Sequence, residues 1–160
     1  MVPPASDDPG AREPVSGPLP RVRQLLDQAE SHLRVGSVDE VRDALTRSHL
    51  PDFRCVGWYG VPPAGWSVVI DAEYADQPVP EPLARRFGTD AFWQRWTRAE
   101  CLCKLADVPM LAWWPKHGLD VPADFAGAWR TLELGPLIVS VALAPSAGSG
   151  PSLAPSVRPA

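Results

Sequence analysis

The chain is 160 residues long, the length of one domain with one hydrophobic core. Its formal net charge of −4 and pI of about 5.3 weigh against a sequence-independent nucleic-acid binder, which carries a basic face. The longest apolar run, Leu137 to Ala144, is far too short to span a bilayer.

Residues 1–19 and 145–160 are rich in Pro, Ser, Gly and small polar residues. They lack the apolar content that would offset the entropy of ordering them, and they read as flexible tails around a single folded domain over residues 20–144. The N-terminal stretch has no charged segment followed by an apolar one, as a secretory leader would. With three cysteines, an odd number, this points to a soluble, cytoplasmic protein with reduced thiols.

Val22, Leu25, Leu26, Ala29 and Leu33 recur at helical spacing and predict a helix, with Gly36 as its stop. Ser37-Val38-Asp39-Glu40 then reads as a capping box that opens a second helix to about residue 48. Phe53 to Tyr59 is aromatic and β-branched enough for a strand, broken by the Gly60–Gly65 segment with its Pro62 and Pro63. Residues 66–73 predict the most informative strand. Trp66, Val68, Ile70 and Ala72 face one way, and Ser67, Val69, Asp71 and Glu73 the other. Asp71 and Glu73 thus emerge on one face, about 7 Å apart along the strand.

Thr89 or Asp90 can cap a helix running to about Ala106, with Phe92, Trp96, Ala99 and Cys103 at helical spacing. Glu100 and Lys104 stand one turn apart on a neighbouring stripe. Cys101 and Cys103 form a C-x-C. Positions two apart diverge on a helix, and no His or Cys follows at ligand spacing, so packed thiols are the better reading. Trp113-Trp114-Pro115 ends the region as a loop. Residues 129–144 read as a β-hairpin about Gly135-Pro136. Segregated helices and hairpin strands make the expected fold class α+β.

Asp71, Glu73 and Glu100 single themselves out chemically. A strand ending in Asp-x-Glu offers two hard oxygen ligands, and a helix packed beside it can add a third, a set suited to Mg²⁺ shared with substrate phosphates. Lys104 could then neutralise charge on a leaving phosphate. The same residues also fit a solvent-exposed strand exit and a surface i, i+4 ion pair.

Val69-Ile70-Asp71-Ala72-Glu73 resembles the G-[IV]-D-[IV]-E strand of the 4′-phosphopantetheinyl transferases. Phe92 to Lys104 resembles that family's F-x-x-x-W-[ST]-x-K-E-A-x-x-K signature, with Trp96, Thr97, Glu100 and Lys104 in register. The hairpin is similar to the family's closing strands, and the resemblance covers residues 66–144. It implies antiparallel strands packed on the helix that carries the W-T-x-x-E signature. It also implies transfer of the phosphopantetheine arm of coenzyme A to a serine of an acyl or peptidyl carrier protein, with Mg²⁺. Carried over, Asp71, Glu73 and Glu100 would hold Mg²⁺. Glu100 would help deprotonate the serine, and Lys104 would meet the leaving phosphate. Lys104 and Arg98 would contact coenzyme A.

The chain departs from the pattern in places. Ala99 replaces the lysine before the glutamate, Val69 or Val68 replaces the opening glycine, and the segment between Asp71 and Glu100 is short. Larger members also use an S-H-S histidine. Ser48-His49 falls at the end of the predicted second helix, so that role is not transferred to His49. Two outcomes follow: a compact transferase that completes its site by self-association, or a degenerate relative that binds a carrier protein or synthase. Arg85, Arg86, Arg95 and Arg98 form a basic cluster that fits either an acidic carrier protein or a solvated helix face. The tryptophans read as packing residues, and His117 has no partner evident in the sequence.

Overall fold

The structure is a computed structural model that describes residues 17–148. The tails expected over 1–19 and 145–160 lie largely outside the described residues, although Leu19 already opens a helix and Pro145 ends a strand. In chain order the elements are α1 (Leu19–Asp27), a 3₁₀ turn (Ala29–His32), β1 (Leu33–Ser37), β2 (Thr46–His49), β3 (Arg54–Trp58) and β4 (Trp66–Tyr74). Then follow α2 (Glu81–Phe87), α3 (Phe92–Ala106), α4 (Met110–His117), β5 (Ala128–Leu134) and β6 (Leu137–Pro145). The fold is α+β, with four helices and two small antiparallel sheets among the described residues, ordered β1-β3-β2 and β4-β6-β5.

The first expected helix stops early. Val22, Leu25, Leu26, Ala29 and Leu33 are all buried as their spacing implies, but the helix ends at Asp27. One 3₁₀ turn leads into β1, where Gly36 pairs with Cys55 instead of stopping a helix. The second expected helix is absent. The capping box does form, with the Ser37 N–H donating to Glu40 Oε2 at 2.7 Å and the Glu40 N–H to Ser37 Oγ at 3.2 Å. It closes only a turn, because residues 46–49 pair with β3 as strand β2.

Alternation along β4 holds. Ile70 and Ala72 join Val139, Val141 and Leu143 of β6 and Leu132 of β5 on one face, where Val22, Leu25, Leu26 and Ala29 cover them. Arg130 of β5 ties this layer down by donating to the carbonyls of Leu26 and Asp27. The opposite face of the same sheet lies under α3. The hairpin turns at Gly135, whose φ of +57° suits the first central position of a two-residue primed turn.

Trp113-Trp114-Pro115 lies in α4 rather than in a loop. Pro115 falls in its second half, and the helix stops two residues later, at His117. Trp96, Trp114, Phe87 and Trp93 pack around Phe92, Ala99 and Leu119, so this tryptophan group is a small core between α2, α3 and α4. Cys55, Cys101 and Cys103 are free and buried, in keeping with packed thiols. Among the described residues no helix is long and apolar enough to cross a membrane.

Candidate functional site

The site is built where α3 crosses the sheet. Pairing aligns Asp71 of β4 with Ser140 of β6, and Ser140 with Thr131 of β5, so three polar side chains form one row across the sheet. Above it, Thr97, Cys101 and Lys104 make an i, i+4, i+7 stripe on α3. Thr97 Oγ1 lies 2.8 Å and Thr131 Oγ1 2.7 Å from Ser140 Oγ, and the Cys101 thiol donates to the Ser140 carbonyl. Lys104 closes the stripe. Its ammonium donates to the Ile70 carbonyl and to Asp71 Oδ1, each at 2.9 Å.

Lys104 therefore faces the sheet, and its main partner is Asp71 rather than Glu100. Asp71 is 8% exposed. Its Oδ1 lies 3.5 Å from the Ser48 hydroxyl, while Oδ2 is buried without a hydrogen-bond partner among the described residues. Burial pushes the Asp71 carboxyl up to about 7. Lys104 opposes that rise, and the charges of Glu100 and Glu73 add to it. Burial also raises Glu100, against Lys104 and helped by Glu73. Lys104 itself is depressed by burial, but Asp71, with Cys101 and Glu100, more than compensates and leaves it raised. Burial keeps both neighbouring thiols protonated: Cys101 is raised well above its ordinary value, and Cys103 is pushed to about 12.

Asp71, Glu73, Glu100 and Lys104 thus share one seam between β4 and α3. Glu73 Oε2 accepts a hydrogen bond from Gln77 at 2.7 Å. Among the described residues no three His, Cys, Asp or Glu side chains are gathered closely enough to hold a metal ion. The donor types still suit a hard cation, since the charges of Glu73 and Glu100 act on Asp71 and one buried Asp71 oxygen lacks a partner among the described residues. A cleft of about 300 Å³ opens along Glu100, Lys104, Cys103, Asp107 and Met110.

No family model, curated protein or solved structure matches this chain. The resemblance therefore stands on its quoted residues alone.

Arg98 does not join the seam. Its guanidinium lies over the Trp129 ring at 4.6 Å, on a different flank of α3 from Glu100 and Lys104. Ala99 is fully buried against Phe92 and Leu119, so a lysine there would point into packing. His117 packs its ring against Trp113 at 4.4 Å, away from the seam.

Ser48 was missed as a site residue. Ser48-His49 lies in β2 rather than at a helix end, which removes the ground for setting it apart. The Ser48 hydroxyl accepts the Ala72 N–H at 3.0 Å and so joins the two sheets beside Asp71. Finding it from sequence requires reading residues 46–49 as a strand, against the helix that the Ser37–Glu40 capping box suggested.

Proposed function

We propose that this chain is a Mg²⁺-dependent transferase that moves the phosphopantetheine arm of coenzyme A to a serine of an acyl or peptidyl carrier protein. One observation carries the reading: residues from two motifs distant in sequence meet, with Lys104 2.9 Å from Asp71 and the charges of Glu73 and Glu100 acting on the same carboxyl. Nothing in the spacing of either motif alone requires that meeting.

On this reading Asp71, Glu73 and Glu100 would hold Mg²⁺, which supplies charge to polarise the pyrophosphate of coenzyme A. Glu100, on the cleft side of α3, would take the proton of the carrier serine directly or through a water. Lys104 would meet negative charge as it develops on the leaving phosphate. Arg98 is left out of the coenzyme A contacts because it packs on Trp129.

A second reading has its own support. Lys104 is already engaged by Asp71 and the Ile70 carbonyl, and Ala99 stands buried where the family pattern has a lysine. These features suit a relative that has lost the reaction and serves as a carrier-protein or synthase interaction module. Intact-mass analysis of apo carrier proteins from fatty-acid, polyketide and peptide synthases, incubated with this protein, coenzyme A and Mg²⁺, separates the two. A phosphopantetheine mass gain that Glu100→Ala abolishes is the expected result. No gain on any carrier, while an active transferase modifies the same samples, would overturn the transferase reading in favour of the second.

A further inference from the structure

The cleft of about 300 Å³ beside the seam is lined by Glu100 and Lys104 but not by Asp71. Lys104 spans from one to the other. From the cleft wall its ammonium reaches inward to Asp71 Oδ1 and the Ile70 carbonyl, each at 2.9 Å. The Asp71 side chain is 11% exposed and that of Lys104 37%. The acid is therefore closed off, while the lysine stem lies open enough to swing away without repacking its neighbours. Asp71 Oδ2 is buried with no hydrogen-bond partner among the described residues, so the pair leaves acceptor capacity unused.

The charges at the seam are also unevenly matched. Those of Glu73 and Glu100 act on Asp71, and that of Glu73 acts on Glu100, so the one ammonium serves three carboxyl groups. A divalent cation of the hard type answers such oxygens with two charges and more bonds. It cannot share Asp71 Oδ1 with the ammonium at the present contact distance. A released Lys104 has an alternative partner, because Asp107, three residues on, is exposed and lines the same cleft.

We propose that the Lys104 ammonium is an internal cation that caps Asp71 in the free chain, and that a divalent cation of the Mg²⁺ type binds the seam by displacing it into the cleft. The proposal rests on the reading of Asp71, Glu73 and Glu100 as metal ligands, but not on the transfer reaction. No covalent bond changes; an ion pair is exchanged for a metal–carboxylate contact. Displacement makes the metal the gate for Lys104, since only the loaded chain presents a free ammonium to a phosphate in the cleft. Metal and a phosphate-bearing ligand then strengthen each other's binding. The engaged lysine becomes a resting state rather than a mark of lost function.

Lys104 and Lys116 are the two lysines of the chain, so each can be followed by peptide mass. The full chain is briefly acetylated with acetic anhydride at about pH 8.5, where Asp71 is ionised, with the exposed Lys116 as internal reference. Saturating Mg²⁺ should raise the relative rate at Lys104 about tenfold, because a capped amine reacts only through its minor free state. In parallel, binding of Mn²⁺, which takes the same oxygen ligands, is read from the EPR signal of the free ion. Lys104→Met should bind Mn²⁺ about tenfold more tightly than wild type, because the competing cap is gone. A Lys104 rate unmoved by Mg²⁺ while Mn²⁺ binds would overturn the proposal, since the ion would then leave the pair intact. A Lys104→Met protein that is folded by circular dichroism and binds no more tightly would overturn it equally. If that variant does not fold, labelling of the wild type decides alone. No Mn²⁺ bound by either protein up to millimolar concentration would overturn it together with the metal reading. Displacement and tighter binding, with no mass gain on any carrier protein, would uphold it and remove only the transfer reaction.

Discussion

The buried Asp71 carboxyl makes a quantitative prediction about stability and pH. Its folded pKa is raised from 3.8 to about 7, chiefly by burial. Between about pH 4 and 7 the folded protein keeps a proton that the unfolded chain has already released. Stability contributed by this group is therefore present at low pH, falls as pH rises through the window, and levels off above about 7. The full span corresponds to about 4 kcal/mol. Asp71→Asn keeps the shape and removes the titration. Urea unfolding of both proteins, followed by tryptophan fluorescence from pH 4 to 9 with EDTA present, gives the difference in unfolding free energy at each pH. That difference reports Asp71 together with its coupling to Glu73, Glu100 and Lys104. The wild type should lose several kcal/mol relative to the variant across the window. A flat difference would refute the argument that burial dominates. A difference that grows in favour of the wild type as pH rises would mean that Lys104 holds the carboxylate ionised.

Three further predictions concern the candidate site, the junction of the two sheets and one close approach of the backbone. Mg²⁺ with coenzyme A should raise the melting temperature of the wild type, by linkage to a site present only in the folded state, and Glu100→Ala should remove that rise. Ser48→Ala should cost about 1–3 kcal/mol in denaturant unfolding, because it strips the partner from the buried Ala72 N–H where the two sheets meet. Gly127→Ala should cost about 3 kcal/mol or more, since its Cβ would lie 2.1 Å from the Leu143 carbonyl oxygen and 2.6 Å from Phe125 Cζ. A circular-dichroism melt within 2 °C or so of wild type would contradict that close packing.

The elements most legible in the sequence were those whose stabilising partners lie nearby in the chain or on one repeating face. β4 alternates over nine residues, α3 repeats its apolar positions over four turns, and the hairpin carries Gly135 at a turn that needs positive φ. Each pattern is a local record of burial, but it records one face only. Ile70 and Ala72 are buried as expected, and Asp71 on the other face is buried too. Helix α3 sets Thr97, Cys101 and Lys104 against the sheet while Phe92 and Ala99 pack elsewhere. Residues 37–49 went the other way. Their strongest local signal, the Ser37–Glu40 capping box, is real as a pair of hydrogen bonds, but the path of the next residues depends on β3. Helical spacing likewise marked Ala29 and Leu33 as buried without revealing that the helix ends between Leu26 and Ala29.

The candidate site divides along the same line. Sequence by itself singled out the candidate residues: Asp71 and Glu73 on one strand face, and Glu100 and Lys104 one turn apart on a helix. Only the tertiary structure decided that Lys104 turns to the sheet and pairs with Asp71, that Arg98 leaves for Trp129, and that Ser48 arrives from another sheet. Thr131 meets Ser140 across a hairpin that the sequence already marked, but Asp71 joins their row only through the register of β4 on β6, a pairing between segments about 70 residues apart that no local periodicity encodes. Composition and spacing specify what each face offers, and the packing of α3 across β4, β6 and β5 specifies what that face meets.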